Sequence, residues 1–277
     1  MAWFEAADGE RLWYQVEGRR DRPAVLLLHG FAQTAASFDI VAPRLAASWR
    51  VVRVDLYGHG RSSIPPNPAR LGWEPTGRDL VALMADVGAE RFAVLGYSMG
   101  GRLALDLALR HPGRLWALVL ESASPGLADP EERAQRRASD DVLADAVESR
   151  GIEWFAAYWA SLPLFRSHER MDAHTRAALQ AMRTSQRARG LAQSLRGAGT
   201  GVQPNWWPDL AALTVPTLLV VGAEDAKYLD INRKMAAAIP AARLEVVPQS
   251  GHTPHLEQPE AFFALVAAHL EAALPSA

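Results

Sequence analysis

No cysteine occurs in the 277 residues, which removes disulfides, thiolate nucleophiles and zinc-thiolate sites together. Lysine is nearly absent: of 29 basic residues only Lys227 and Lys234 are lysine, so arginine is the default cation. Neither sign of charge is in surplus, with a net charge of -2, and the basic footprint that nucleic acid requires is missing. No stretch approaches the roughly 20 apolar residues of a bilayer span. Residues Met1 to Gly18 interleave Glu5, Asp8, Glu10 and Arg11 with apolar positions, unlike the unbroken core of a secretion signal. These absences predict a cytoplasmic protein, a monomer or small homo-oligomer, that engages neither membrane nor nucleic acid.

What is present is a set of short, continuous apolar runs: Ala24 to Leu28, Val51 to Leu56, Phe92 to Leu95, Leu115 to Leu120 and Thr217 to Val221, with a weaker one at Val246 and Val247. Strands covered on both faces read this way. Helix-like stretches such as Thr76 to Val87, Arg102 to Leu109 and Pro259 to Ala273 alternate with them, the pattern of a doubly wound, mostly parallel α/β sheet. Leu12 to Val16 and Ala24 to Leu28 suggest an opening hairpin. From about Pro125 to Pro208 the buried runs vanish, and charges, alanines and aromatics at helical spacing replace them. The expected organisation is a core (1-124), a helical cap (125-208) and a second core segment (209-277), with Gly197 to Gly201 as a flexible hinge.

Gly96-Tyr97-Ser98-Met99-Gly100 follows one apolar run and precedes a helical stretch. Glycines two residues either side of a serine let a strand turn sharply into a helix and hold the hydroxyl in the open. That serine needs a base. His252, between the last strand and the last helix, is the candidate; His255 is its close rival, and His111, His168, His174 and His269 call for structural roles only. The imidazole needs an acid, and Asp225, after the run Thr217 to Val221, supplies it, with Glu121 the minority alternative and Glu224 pointing elsewhere. The order Ser98, Asp225, His252 is that of the α/β-hydrolase fold. The "HGFAQ" turn places the Phe31 N–H beside that of Met99 as an oxyanion hole, with His29 and Gly30 shaping the turn. Asp55, His59 and Arg61 are expected to brace loops.

Arg102 begins the helix behind Ser98, where a cation opposes the helix dipole unless an anion compensates. It therefore points to a carboxylate-bearing substrate. Arg133, Arg136, Arg137, Arg183 and Arg187 in the cap, with Lys227 two residues after Asp225, extend the same reading, although most such side chains are solvated or paired with neighbouring acids.

"GYSMGGR", "SPGL", "EERAQRRASD", "FAAYWASLPLF", "LRGAGTGVQPNWWPDL" and "GAEDAKY" together make the chain resemble the 2-succinyl-6-hydroxy-2,4-cyclohexadiene-1-carboxylate synthase family of menaquinone biosynthesis. Tyr57 departs from the proline of many relatives. The resemblance implies a lyase without metal or organic cofactor that removes a proton beside a succinyl carbonyl and eliminates pyruvate, Ser98 acting as base with His252 and Asp225. It further implies that Arg102, Arg136 and Arg183 bind the carboxylates of a small polycarboxylate substrate, and that Lys227, Tyr97, Tyr158 and Trp159 line the pocket. The runner-up is a carboxylesterase or carbon–carbon bond hydrolase working through an acyl-enzyme, because fold and triad do not set the reaction class.

Overall fold

The computed structural model describes residues 1–274, which form one sheet in the order β1-β2-β4-β3-β5-β6-β7-β8. The strands are β1 (Ala2–Glu5), β2 (Arg11–Glu17), β3 (Ala24–Leu28), β4 (Arg50–Val54), β5 (Phe92–Tyr97), β6 (Leu115–Glu121), β7 (Thr217–Gly222) and β8 (Ala242–Val247). Neighbours from β4 to β8 run parallel, whereas β2 is antiparallel to both β1 and β4. The helices are α1 (Ala42–Leu45), α2 (Trp73–Asp86), α3 (Met99–Arg110), α4 (Pro130–Arg150), α5 (Ile152–Ala160), α6 (Ala173–Thr184), α7 (Ala188–Ala198), α8 (Ala226–Ala238), α9 (Pro254–Glu257) and α10 (Pro259–Ala272).

The continuous apolar runs are explained by two cores, one on each face of the sheet. Along β3, Leu26 and Leu28 join a cluster with Leu80 and Leu83 of α2, Leu103 and Leu107 of α3 and Met235 of α8. The intervening Val25 and Leu27 join Leu45 of α1 and Phe262, Val266 and Leu270 of α10 on the other face. Successive side chains of a strand point to opposite faces, so a strand feeding both cores must be apolar throughout.

The expected hairpin between Leu12–Val16 and Ala24–Leu28 does not form. β2 pairs with β1 on one side and with β4 on the other, Tyr14 standing opposite Val54, while β3 lies between β4 and β5. The reason is burial: β3 is buried along its whole length and belongs at the sheet centre, so β2 finds its antiparallel partners in β1 and β4 instead. With only four residues, alternately half-buried and exposed, β1 carries too little pattern to be read from sequence. The edge strand β8 is weak for the same reason, its Arg243 and Glu245 pairing at 3.2 Å on the open side.

Helices α4 to α7 all lie between β6 and β7 and form the cap. The stretch Gly197 to Gly201 is not a hinge. A Cβ on Gly197 would overlap the Pro68 carbonyl oxygen, and one on Gly201 would overlap the Arg137 backbone. Gly190, seven residues earlier on the same face of α7, would likewise meet the Gly58 carbonyl. Gly190 and Gly197 permit close approach of cap and core backbones, and Gly201 does the same within the cap. Replacing Gly190 or Gly197 with alanine should therefore cost about 1–3 kcal/mol by overpacking and lower the thermal midpoint by several degrees. Gly113→Ala, where nothing lies within 4 Å, should be neutral. Thermal unfolding of the three variants by calorimetry checks this.

Candidate active site

The site is assembled where the carboxyl ends of β5, β7 and β8 meet the cap. Ser98 joins β5 to α3 with φ 49° and ψ -106°, a left-handed conformation that β-carbon crowding disfavours for a non-glycine residue. The turn closes because Gly96 packs on the Gly100 backbone and Gly100 packs on the Leu28 and His29 carbonyls, leaving no room for a side chain at either position. The Ser98 amide is spent on the Glu121 carbonyl at 2.8 Å and its carbonyl on the Arg102 amide at 2.9 Å, which hold the strained residue in place.

His252 Nδ1 donates to Asp225 Oδ2 at 2.6 Å, and this leaves Nε2 as the acceptor for the Ser98 hydroxyl at 3.0 Å. Asp225 and His252 are both buried, and the Tyr228 ring lies 4.6 Å from the imidazole centroid. The Phe31 and Met99 amides have no acceptor among the described residues, as an oxyanion hole requires. Glu121 does not compete for the base. Its carboxylate accepts from the amide and Nδ1 of His255 at 2.9 and 2.8 Å in the core between β6 and α9. His29 Nε2 accepts the Leu56 amide, and Asp55 accepts the amides of Ala35 and Arg61, so these residues brace loops. Glu224 pairs outward with Arg170 at 2.7 Å.

A cavity of about 470 Å³ opens over Ser98 and His252. Arg102 is buried in its wall, held by Thr200 Oγ1 at 3.0 Å and by the Trp73 ring 5.0 Å away, and no carboxylate among the described residues forms an ion pair with it. Burial lowers its pKa to about 10, with the neighbouring Arg136 pushing the same way, yet the guanidinium remains charged at neutral pH. Arg136 lines the same cavity and pairs with Asp140 at 2.8 Å, while Asp140 also accepts the Gly201 amide. Lys227 and Tyr158 stand exposed at the mouth, and Trp159 contributes one edge of the wall while packing against Phe31 at 5.2 Å and Phe155 at 5.4 Å in the cap core. Tyr97 lines the floor, with its hydroxyl 3.0 Å from Thr253 Oγ1.

Arg183 is not on this wall. It lines an adjoining cavity of about 350 Å³ on the far side of Phe165, 5.3 Å from that ring. Arg187 is turned away toward the Ser62 carbonyl. Sequence reasoning missed Thr200, Trp73 and Tyr228. The first two orient Arg102, and no local pattern announces side chains that meet across about 100 and 30 residues of chain. Tyr228 was within reach of inspection, one residue beyond the cation already singled out.

A family profile described as alpha/beta hydrolase fold matches residues 23–259. A Bacillus subtilis (strain 168) protein, provisionally named 2-succinyl-6-hydroxy-2,4-cyclohexadiene-1-carboxylate synthase, is 38% identical over 264 residues, covering 95% of this chain and 96% of its own. The Serratia proteamaculans (strain 568) protein of that name is 32% identical over 249 residues, 90% of this chain and 93% of its own. Among solved structures, MenH from S. aureus superposes with a TM-score of 0.89 at 31% identity, covering 94% of this chain and 98% of that one.

Three buried histidines give the fold a defined acid sensitivity. Desolvation lowers the pKa of His29, and lowers those of His59 and His168 to about 3. An unfolded chain protonates such rings near 6.5. Below about 6.5 the unfolded state binds more protons, so the stability these rings contribute is complete above about pH 6.5 and falls with pH, down to about 3 for His59 and His168, with a slope of at most about 1.4 kcal/mol per unit for each ring. Urea midpoints should fall progressively from about pH 7 to about pH 4.5, and His168→Gln should flatten the decline. A pH-independent midpoint would contradict the assignment of buried neutral rings.

Proposed function

Since the chain belongs to the 2-succinyl-6-hydroxy-2,4-cyclohexadiene-1-carboxylate synthases of the alpha/beta hydrolase fold, the pyruvate-eliminating lyases of menaquinone biosynthesis, we propose that its triad works as a proton-abstracting base. The substrate of that reaction, 2-succinyl-5-enolpyruvyl-6-hydroxy-3-cyclohexene-1-carboxylate, carries an acidic ring C–H beside the succinyl carbonyl. Ser98, relieved of its proton by His252, removes that hydrogen, and Asp225 stabilises the resulting imidazolium. The Phe31 and Met99 amides then meet the negative charge that develops on the succinyl oxygen. The enolate electrons re-form the carbonyl and push a double bond into the ring, the existing ring double bond shifts by one position, and the enolpyruvyl C–O bond breaks. The departing enolate is protonated to pyruvate, and the imidazolium is the nearest acid to supply that proton.

The observation that carries this reading is the buried guanidinium of Arg102 beside the nucleophile, held by Thr200 and without an ion-pair partner among the described residues. A carboxylate about 4 Å from it gains roughly 4 kcal/mol at an effective dielectric of 20, enough to hold an anionic substrate with its acidic C–H over Ser98. Arg136, its charge partly met by Asp140, and Lys227 at the mouth are suited to the remaining carboxylates. Arg183 joins them only if Phe165 moves aside, and is assigned last.

Pyruvate release from freshly generated substrate tests the assignment. Ser98→Ala should reduce turnover by about 10³-fold or more. Arg102→Ala and Arg102→Lys should both lose about 10- to 100-fold in kcat/KM, because lysine lacks the planar fork. No release by the wild type, with rapid burst cleavage of a p-nitrophenyl ester that Arg102→Ala leaves unchanged, would instead establish the acyl-enzyme hydrolase.

A further inference from the structure

Glu257 ends α9, and its side chain is only 3% exposed. No arginine or lysine pairs with it among the described residues. Its two oxygens are instead divided between two backbone amides: Oε2 accepts from Gly251 at 2.8 Å and Oε1 from Thr253 at 2.9 Å. These are the residues on either side of His252.

The segment Gly251-His252-Thr253 lies between β8 and α9; the Thr253 carbonyl accepts the Leu256 and Glu257 amides at 3.0 Å as α9 begins, whereas Gly251 and His252 belong to no strand or helix. One carboxylate that grips the peptide groups before and after the histidine fixes both planes from which the imidazole hangs. Thr253 is tied further through its hydroxyl, 3.0 Å from both the Tyr97 hydroxyl and His168 Nε2. Tyr97 is the residue before the nucleophile, and His168 belongs to the turn Pro163–Arg170 that follows α5 in the cap. His168 Nε2 also approaches Glu257 Oε1 at 3.9 Å. The polar contacts of the carboxylate among the described residues are two amides and the neutral His168 ring, with Tyr97 close enough to feel its charge.

A buried carboxylate without a cation is costly. Two hydrogen bonds confined to one short loop bring little to the global fold, but they determine whether Nε2 can stand 3.0 Å from Ser98 while Nδ1 stands 2.6 Å from Asp225. We propose that Glu257 is a positioning residue for the catalytic histidine, a bidentate backbone clamp that holds the His252 imidazole in register with nucleophile and acid. The inference rests on reading His252 as the base.

Glu257→Gln is the informative variant. The amide retains one acceptor and presents its NH₂ to the second backbone N–H, so one arm of the clamp is lost with little change in volume. Turnover in pyruvate release should fall about 10- to 100-fold, the scale of a misplaced catalytic group. KM should stay within about twofold, since the arginines are untouched. The low-field proton resonance of the His252 Nδ1–H, identified by its disappearance in His252→Ala, should shift or broaden. Leu45→Ala, which loses a fully buried side chain in the core on the other face of the sheet and is assayed well below its unfolding temperature, should keep both turnover and resonance and so controls for lost stability. A folded Glu257→Gln with wild-type turnover and an unmoved resonance overturns the clamp, as does a loss of turnover with the resonance unmoved. If the wild type releases no pyruvate, the functional reading fails, while the resonance still decides whether Glu257 positions His252.

Discussion

The architecture depends on one constrained peptide turn, the left-handed Ser98 between β5 and α3. Everything near it is arranged so that this conformation is the one available. Glycines on either side remove β-carbons where backbones of β3, β5 and α3 converge, and the amide and carbonyl of Ser98 are both consumed in hydrogen bonds. Because the turn begins at a central strand with a core on each face, its strain is opposed by the cohesion of the whole sheet rather than by local contacts. The same turn frees the Met99 amide and starts the helix that carries Arg102, so nucleophile, oxyanion donor and cation are displayed by one rigid element.

The second organising feature is electrostatic. Arg102 is desolvated against Trp73 and Thr200 with no carboxylate in direct ion-pair contact among the described residues, whereas its neighbour Arg136 pairs directly with Asp140. A cation opposing a helix dipole in a low-dielectric wall is an unfavourable arrangement for the empty protein. A carboxylate in the cavity would relieve that cost, as the proposed substrate requires. The aromatic ring of Phe165 divides this cavity from the one holding Arg183, so the cap presents its cations in two chambers rather than as a single ring.

Much of this was legible in the sequence because it is local. A buried strand needs an apolar run, a nucleophile turn needs glycines at fixed offsets, and a histidine between the last strand and the last helix has few other uses. At the sheet edges β1 escaped and only the end of β8 was read, because half-exposed strands need not be apolar. The false hairpin shows the same limit: adjacency along the chain favoured β2 with β3, but burial on both faces sent β3 to the centre. Contacts that orient the site, such as Thr200 on Arg102 and Glu257 around His252, depend on where distant loops meet. The glycines of α7 misled for a different reason, since a residue without a side chain reads equally as freedom to move or as room for a neighbour, and here it is room.

The way α7 sits on the core carries a consequence for how such a pocket diversifies. Where Gly190 and Gly197 touch Gly58 and Pro68, the contact is made by main chain against main chain. The docking geometry of that helix is consequently encoded by absent side chains and is indifferent to the identities of those facing the cavity. Ser194, Leu195 and Ala198 on the same helix line the pocket or its edge, and exchanging them alters its shape and polarity without shifting the frame. A lineage can thus retune what the cavity accepts one substitution at a time, while the distance from cap to nucleophile is inherited unchanged.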